Sequence, residues 1–482
     1  MIHYAKPVFI MLLLCVTADV VALENGLART PPMGWYPWNE FGQDRQNEQL
    51  IKAMADAMVS NGMKDAGYLY VGPDEGRCFT RDASGNLQSR LDLWPSGMKG
   101  LGDYIHSKGL KYMLYTDAGT ATCTGAIPGM RGYEGRDARQ FAAWGCDYIK
   151  VDWCNSSGLS ARAQYGKIRD SLLQCGRPIM YSLCCWGAEQ TWTWGKSTGN
   201  LWRTTGDICG PGQANWGNVL NILDQNAPLY PYAGPGGWND PDMLTVGMRG
   251  LNDAQNRSHF ALWCIMASPL IMGCDLRTMT ATTIATINNK EVIAVDQDSL
   301  GIQGKRIKGA GQLEIWLKPL KDSAYAVLLF NRTTSTRDIS VTWSELGIPA
   351  GTYYIRNLWK HQDITPSATG CSATQLVAYD AAIYRISKSA SVGIGRRGAR
   401  SNGLENSLFS IRTQAGRPAI AIHSPGRHLV EILSINGLTI NRNWFNGPGE
   451  FGRLLPAQAD DICLLRVSRG SRIQTAAIPI TR

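Results

Sequence analysis

Short apolar runs alternate with stretches of helical periodicity from residue 25 to about residue 302, and this alternation predicts the architecture. The apolar runs end near Trp35, Gly72, Thr116, Asp152, Leu183, Asp207, Ala233 and Met272. Between them, residues 49–62, 97–108, 136–144 and 161–173 place apolar side chains at helical spacing. Eight strand–helix repeats over roughly 250 residues predict an α/β fold, a (β/α)8 TIM barrel, in which chemistry gathers at the C-terminal strand ends.

Past residue 302 the period changes. Residues 313–317, 324–330, 339–343, 353–357 and 381–386 are short strand-like runs, several alternating apolar and polar, which predicts an antiparallel β-sandwich over 303–388. A Gly/Arg/Ser-rich linker, 389–402, then leads to a small β-rich module at 403–482. At the other end, residues 1–6 carry positive charge, residues 7–16 are apolar, and Val20-Val21-Ala22 offers small residues for cleavage. Residues 1–22 therefore read as a secretory signal peptide, too short to span a bilayer, and the chain as secreted and not transmembrane.

Composition changes this picture in three places. Sixteen Trp and 18 Tyr against nine Phe favour amphipathic rings that stack on sugar faces, although most large aromatics are core. Six histidines, none grouped with Cys or carboxylates, predict no metal, and no Gly-rich phosphate loop follows a strand, so no cofactor is expected. Of the net charge of +9, most lies after residue 390, where 12 Arg face five acidic residues. These arginines are scattered singly along strands, which argues for a solvated basic face and against nucleic-acid binding. Thirteen cysteines are too scattered for a disulfide framework and read mostly as buried thiols. Glycosylation sequons begin at Asn155, Asn256 and Asn331, a pattern that also arises by chance.

The chemistry points to two aspartates. In Tyr148-Ile149-Lys150-Val151-Asp152, an apolar strand carries a lysine and an aspartate on one side near its end. Leu201-Trp202-Arg203-Thr204-Thr205-Gly206-Asp207 repeats the design, with Arg203 and Asp207 at its end. Either aspartate alone could be a turn or helix-cap residue. Two carboxylates at neighbouring strand mouths are what glycoside hydrolysis requires.

Further motifs occur in order: Leu27-Ala28-Arg29-Thr30-Pro31-Pro32-Met33-Gly34-Trp35, Asp117-Ala118-Gly119, Asp147 to Cys154, Tyr181-Ser182-Leu183-Cys184, Trp202 to Asp207, Gly236-Gly237-Trp238-Asn239-Asp240-Pro241-Asp242-Met243 and Val292 to Asp298. Together they resemble glycoside hydrolase family 27, the family that includes α-galactosidases, over about residues 25–388. The resemblance implies a retaining exo-glycosidase for terminal α-D-galactose, with Asp152 as nucleophile and Asp207 as acid/base. Retention implies carboxyl groups about 5–5.5 Å apart. Lys150 is expected to bond sugar hydroxyls and keep Asp152 ionised, while a proton donor at Asp207 needs a raised pKa in the closed complex. Arg203 and Asp242 match positions that bind ring hydroxyls, Trp38 and Trp186 match aromatic walls, and Tyr115, Cys184 and Met243 line the pocket. Cys123 and Cys154 correspond to a disulfide beside the nucleophile.

Departures from the family pattern concern the sugar. Where the family usually reads Asp-Asp-Cys-Trp, this chain has Asp74-Glu75-Gly76-Arg77 at the site that binds the 4- and 6-hydroxyls. Glu75 would reach into the space of the C6 group, and relatives with this change resemble β-L-arabinopyranosidases. The usual disulfide there is lost on both sides, with no cysteine over residues 40–47, which predicts a remodelled loop. Cys185 replaces a usual glutamate, and retention of Trp186 argues against an N-acetyl group in the pocket. Two other readings stay open: a catalytically dead sugar-binding relative, and a C-terminal module that either sorts or anchors the enzyme or is a generic β-sandwich.

Overall fold

The computed structural model describes Leu23, residues 25–389 and five strands between Phe409 and Pro479. The predicted signal peptide and nearly all of the linker lie outside the described residues. Eight parallel strands form the first sheet: β1 (Met33–Trp35), β2 (Tyr70–Val71), β3 (Lys111–Asp117), β4 (Tyr148–Asp152), β5 (Met180–Cys184), β6 (Leu201–Arg203), β7 (Trp238–Asp240) and β8 (Leu270–Met272). They are ordered β8-β1-β2-β3-β4-β5-β6-β7. Between β7 and β8 the barrel is joined by a single parallel bridge, Leu244 to Met272.

Alternation along each strand sorts side chains between two cores. Tyr148 of β4 joins Met113, Met180, Leu201 and Trp238 in an interior cluster, whereas Ile149 and Val151 pack outward against the helices. The helix Glu48–Ser60 shows why the outer layer forms: Leu50, Ile51, Met54, Ala55 and Met58 give it one buried face, and the Asn47 side chain accepts from Leu50 N as its cap.

Two boundaries differ from the sequence reading. The strand expected to end at Asp207 stops at Arg203, and Asp207 lies four residues beyond it on a loop. The strand expected near Ala233 is instead Trp238–Asp240. Residues 231–237 carry two prolines and three glycines, and they close a tight turn through a Gly234–Gly237 bridge before the strand begins.

The second layer is a β-sandwich of eight strands: β9 (Lys305–Lys308), β10 (Leu313–Leu320), β11 (Ala324–Asn331), β12 (Arg337–Thr342), β13 (Tyr353–Asn357), β14 (Gln362–Ser367), β15 (Gly370–Leu376) and β16 (Ala381–Ser387). Six of them pair in the order β9-β10-β11-β16-β13-β14, and β12 pairs β15 in a second sheet. The central strand β11 of the larger sheet is buried on both faces. Val327 and Leu329 face the sandwich core, while Ala326, Leu328 and Phe330 join the core of the barrel. Side chains of this size contribute about 1.5–3 kcal/mol each when fully buried. Ion pairs reinforce the junction: Asp224 holds Arg306 at 2.6 Å and Arg332 at 2.7 Å, and Arg257 holds Asp380 at 2.6 Å.

Val392–Arg482 is a separate compact unit. Its strands are β17 (Phe409–Gln414), β18 (Arg417–Leu433), β19 (Thr439–Phe451), β20 (Ile462–Arg469) and β21 (Arg472–Pro479), all antiparallel. The order is β17-β18-β20-β21, with β19 also on β18. Among the described residues, no helix is long and apolar enough to cross a membrane.

Candidate active site

Asp152 ends β4 with Asp117 of β3 and Cys184 of β5 as its register partners. It is 7% exposed. Its Oδ2 accepts a 2.8 Å hydrogen bond from the Tyr115 hydroxyl, and its Oδ1 accepts from Trp153 N at 3.1 Å. The disulfide Cys123–Cys154 ties the loop after β3 to the loop after β4 and puts the Cys123 sulfur 3.6 Å from Asp152 Oδ2. Asp117, Cys123 and Cys154 bring ligand atoms within 4.8 Å of one another, but the disulfide leaves neither sulfur as a thiolate.

Lys150, two residues before Asp152, forms a 2.9 Å ion pair with Asp74. The attraction of Lys150 favours the ionised form of Asp152, the direction expected, but burial opposes it more strongly. Burial raises the Asp152 carboxyl to about 6, and the attraction of Lys150 offsets only part of that. Lys150 itself stays firmly protonated: burial disfavours its charge, but Asp74 and the other carboxylates around it more than compensate.

The opposite side is built on Arg203, the last residue of β6 and almost fully buried. Its Nη2 donates to Asp207 Oδ1 at 2.9 Å and lies 3.1 Å from Asp242 Oδ2, while Nη1 faces the Cys184 sulfur at 3.5 Å. Asp207 has 57% of its side chain exposed, the reverse of the buried Asp152. Partial burial pushes its carboxyl up, but Arg203 and then Lys150 outweigh this and hold it below the ordinary value in the free enzyme. Asp242 takes a left-handed backbone, φ 81°, and its carboxylate accepts from Ile208 N at 2.8 Å and Met243 N at 2.7 Å.

Lys150, Cys184, Arg203, Asp242 and Met243 line one cavity together with Tyr36 and Tyr148. Arg203 Nε has no protein partner there, which leaves a buried donor for a ligand hydroxyl. Asp240 also lines the cavity; burial raises its carboxyl to about 6 against the pull of Arg203. Trp38 lies on the short helix Trp38–Phe41 after β1 and packs on the same interior cluster as Met243. Trp186 is half-buried on the loop leaving β5, at φ 52°. Left-handed backbone at a bulky residue costs on the order of 1–3 kcal/mol, so other contacts must hold this loop.

The remodelled loop is also visible. Glu75 is buried, and its Oε1 accepts from both Thr124 N and Thr124 Oγ1 at 2.8 Å, with Gln43 donating to the same Thr124 hydroxyl. Where the family disulfide is missing, Gln46 accepts from Asp74 N at 3.0 Å and donates to Gly42 O at 2.8 Å, and Arg77 pairs Asp44 at 2.7 Å. A Cβ on Gly76 would stand 2.6 Å from Gln46 Oε1, so a polar bridge occupies the place of the covalent one. Cys78 is a buried free thiol.

Sequence reasoning gave no role to Asp117 or Asp240. Asp117 is fully buried, accepts from Gly119 N at 2.6 Å and Cys154 N at 2.8 Å, and so holds both loops around Asp152. Burial raises its carboxyl to about 8, helped by the charge of Asp152. The Asp-Ala-Gly motif marked the position and holds one partner, Gly119 N, but the other, Cys154 N, lies on the loop after β4, distant in sequence. Of the three sequons, Asn256 and Asn331 are buried and only Asn155 is exposed.

Comparisons with known proteins find similarity over both the barrel and the sandwich. Residues 30–298 match the family described as alpha galactosidase A, and residues 310–386 match the alpha galactosidase C-terminal beta sandwich domain. An alpha-galactosidase from Cyamopsis tetragonoloba is 48% identical over 342 residues, which is 70% of this chain and 82% of the relative. The crystal structure of alpha-galactosidase I from Mortierella vinacea superposes with a TM-score of 0.72 at 34% identity, covering 76% of this chain and 99% of that one. A GH27 β-L-arabinopyranosidase from Geobacillus stearothermophilus shares the fold at 23% identity, with a TM-score of 0.68 over 77% of this chain and 99% of that one.

Proposed function

The chain belongs to glycoside hydrolase family 27 and is a glycoside hydrolase with α-galactosidase activity, and on that premise we propose that it removes terminal α-D-galactose by a retaining double displacement at Asp152 and Asp207. Asp152 attacks the anomeric carbon while Asp207 protonates the departing oxygen. Asp207 then takes a proton from water as that water releases the sugar from Asp152. The observation that carries this reading is the contrast between the two carboxylates. Asp152 is enclosed at the end of β4, where a glycosyl ring would sit, and Asp207 is open to solvent, where an aglycone would leave. Arg203 reaches from Asp207 to Asp242 and would order ring hydroxyls; Lys150 and Asp74 would do the same across the cavity. Trp38, Trp186, Tyr115, Cys184 and Met243 are the proposed walls. A ring entering this site displaces water and draws Arg203 toward sugar oxygens, which raises Asp207 toward the protonated state its role needs.

A second reading, β-L-arabinopyranose as substrate, is favoured by Glu75. The hydrogen bonds from Thr124 draw its carboxylate toward the loop after β3 and support room for the galactose C6 group. Turnover of the p-nitrophenyl α-D-galactopyranoside is expected to exceed that of the β-L-arabinopyranoside by kcat/KM. If the arabinopyranoside dominates and Glu75→Asp reverses the order, the galactose assignment is wrong. We further propose that residues 1–22 direct secretion and that the C-terminal unit serves sorting or anchoring.

A further inference from the structure

We propose that Glu189 is a positioning residue that latches the Trp186 loop onto the first turn of the helix Ala161–Leu173. The proposal rests on Trp186 forming a wall of the sugar pocket. Four of the five residues from 186 to 190 have left-handed backbone: Trp186 at φ 52°, Gly187 at 84°, Glu189 at 52° and Gln190 at 52°. Three of them carry side chains that disfavour this conformation, so the loop needs external ties to keep it.

Two ties are visible. Gly187 N donates to Arg203 O at 3.1 Å, and a Cβ at Gly187 would stand 2.7 Å from Thr204 O, so the loop lies directly on the end of β6. On its other side the Glu189 carboxylate accepts from Ala161 N at 2.8 Å, Arg162 N at 3.2 Å and Ser160 Oγ at 3.1 Å. Ser160 is the helix cap and accepts from Ala163 N. The first three N–H groups of the helix are thereby all matched, two of them by Glu189, and its negative charge sits at the positive end of the helix dipole. That helix follows β4, so the latch ties the loop after β5 to the segment behind the nucleophile strand. Glu189 is exposed at the surface and touches none of the cavity-lining side chains, which separates it from the catalytic machinery.

A helix cap that only stabilises the fold would change melting temperature. A latch for Trp186 must also change substrate affinity, and only through Trp186. The test is a double-variant cycle on the full chain with p-nitrophenyl α-D-galactopyranoside. Trp186→Ala is expected to raise KM about tenfold. Glu189→Ala is expected to raise KM about three- to tenfold with kcat within about twofold, the pattern of lost ground-state binding. The double variant should be no worse than Trp186→Ala alone. Glu189→Gln keeps the shape without the charge and should show a smaller rise in the same direction, which also serves if Glu189→Ala does not fold. The latch is overturned if neither Glu189 variant moves KM, or if the effects of Glu189→Ala and Trp186→Ala multiply. If Trp186→Ala alone leaves KM unchanged, the wall assignment falls and the latch falls with it.

Discussion

Asp152 and Asp207 differ by environment more than by chemistry. The free enzyme holds the proposed nucleophile at about 6 and the proposed acid/base below the ordinary carboxylate range. The competent form has one proton on the pair, placed on Asp207. Between the two values the pair carries that single proton, mostly on Asp152 and in a minority on Asp207, and the apparent values belong to the pair. Raising pH through about 6 removes the shared proton, and lowering pH through the depressed value of Asp207 adds a second. We therefore expect kcat/KM to be bell-shaped, with its alkaline limb near pH 6 and its acid limb below about 3.8. A profile of kcat/KM from pH 2.5 to 9 checks this; a flat plateau from 6 to 8 would contradict it. Asp152, Lys150 and Arg203 were legible as strand-end residues, whereas Asp207 was marked by its motif and lies on the loop beyond β6. The roles of Asp117 and Glu189 were not legible, because both act on backbone N–H groups of segments distant in sequence.

At the scale of elements, the apolar runs located six of the eight barrel strands near their observed ends. The misplaced pair, β6 and β7, adjoin segments where glycine and proline break the pattern. In the sandwich, β10 and β11 were plain because both of their faces are buried, which gives near-continuous apolar runs. β14 was invisible: five of its six residues are exposed, so no apolar period marks it. The loss of a disulfide at residues 40–47 and 76–78 was legible as an absence. The replacement by Gln46, Asp44 and Arg77 was not, since side-chain pairing across a loop leaves no periodic trace.

The whole molecule divides where the composition shifts toward arginine. Barrel and sandwich form one compact unit through residue 391, joined by the Asp224, Arg306 and Arg332 cluster around the buried Glu314. All site residues lie in that unit. A chain ending at Ser389 should therefore keep kcat/KM within about twofold of the full chain, while localisation should be lost if the last unit sorts the enzyme; a drop beyond tenfold, about 1.4 kcal/mol, would show that the unit supports catalysis. Azide rescue tests the central claim most directly. With an activated aryl α-galactoside, Asp152→Ala should be silent until azide replaces the missing nucleophile and yields β-galactosyl azide. Asp207→Ala should form its intermediate and pass it to azide as α-galactosyl azide. Opposite anomers from the two variants are the predicted result; the same anomer from both, or near-normal hydrolysis by either variant without azide, would contradict the assignment.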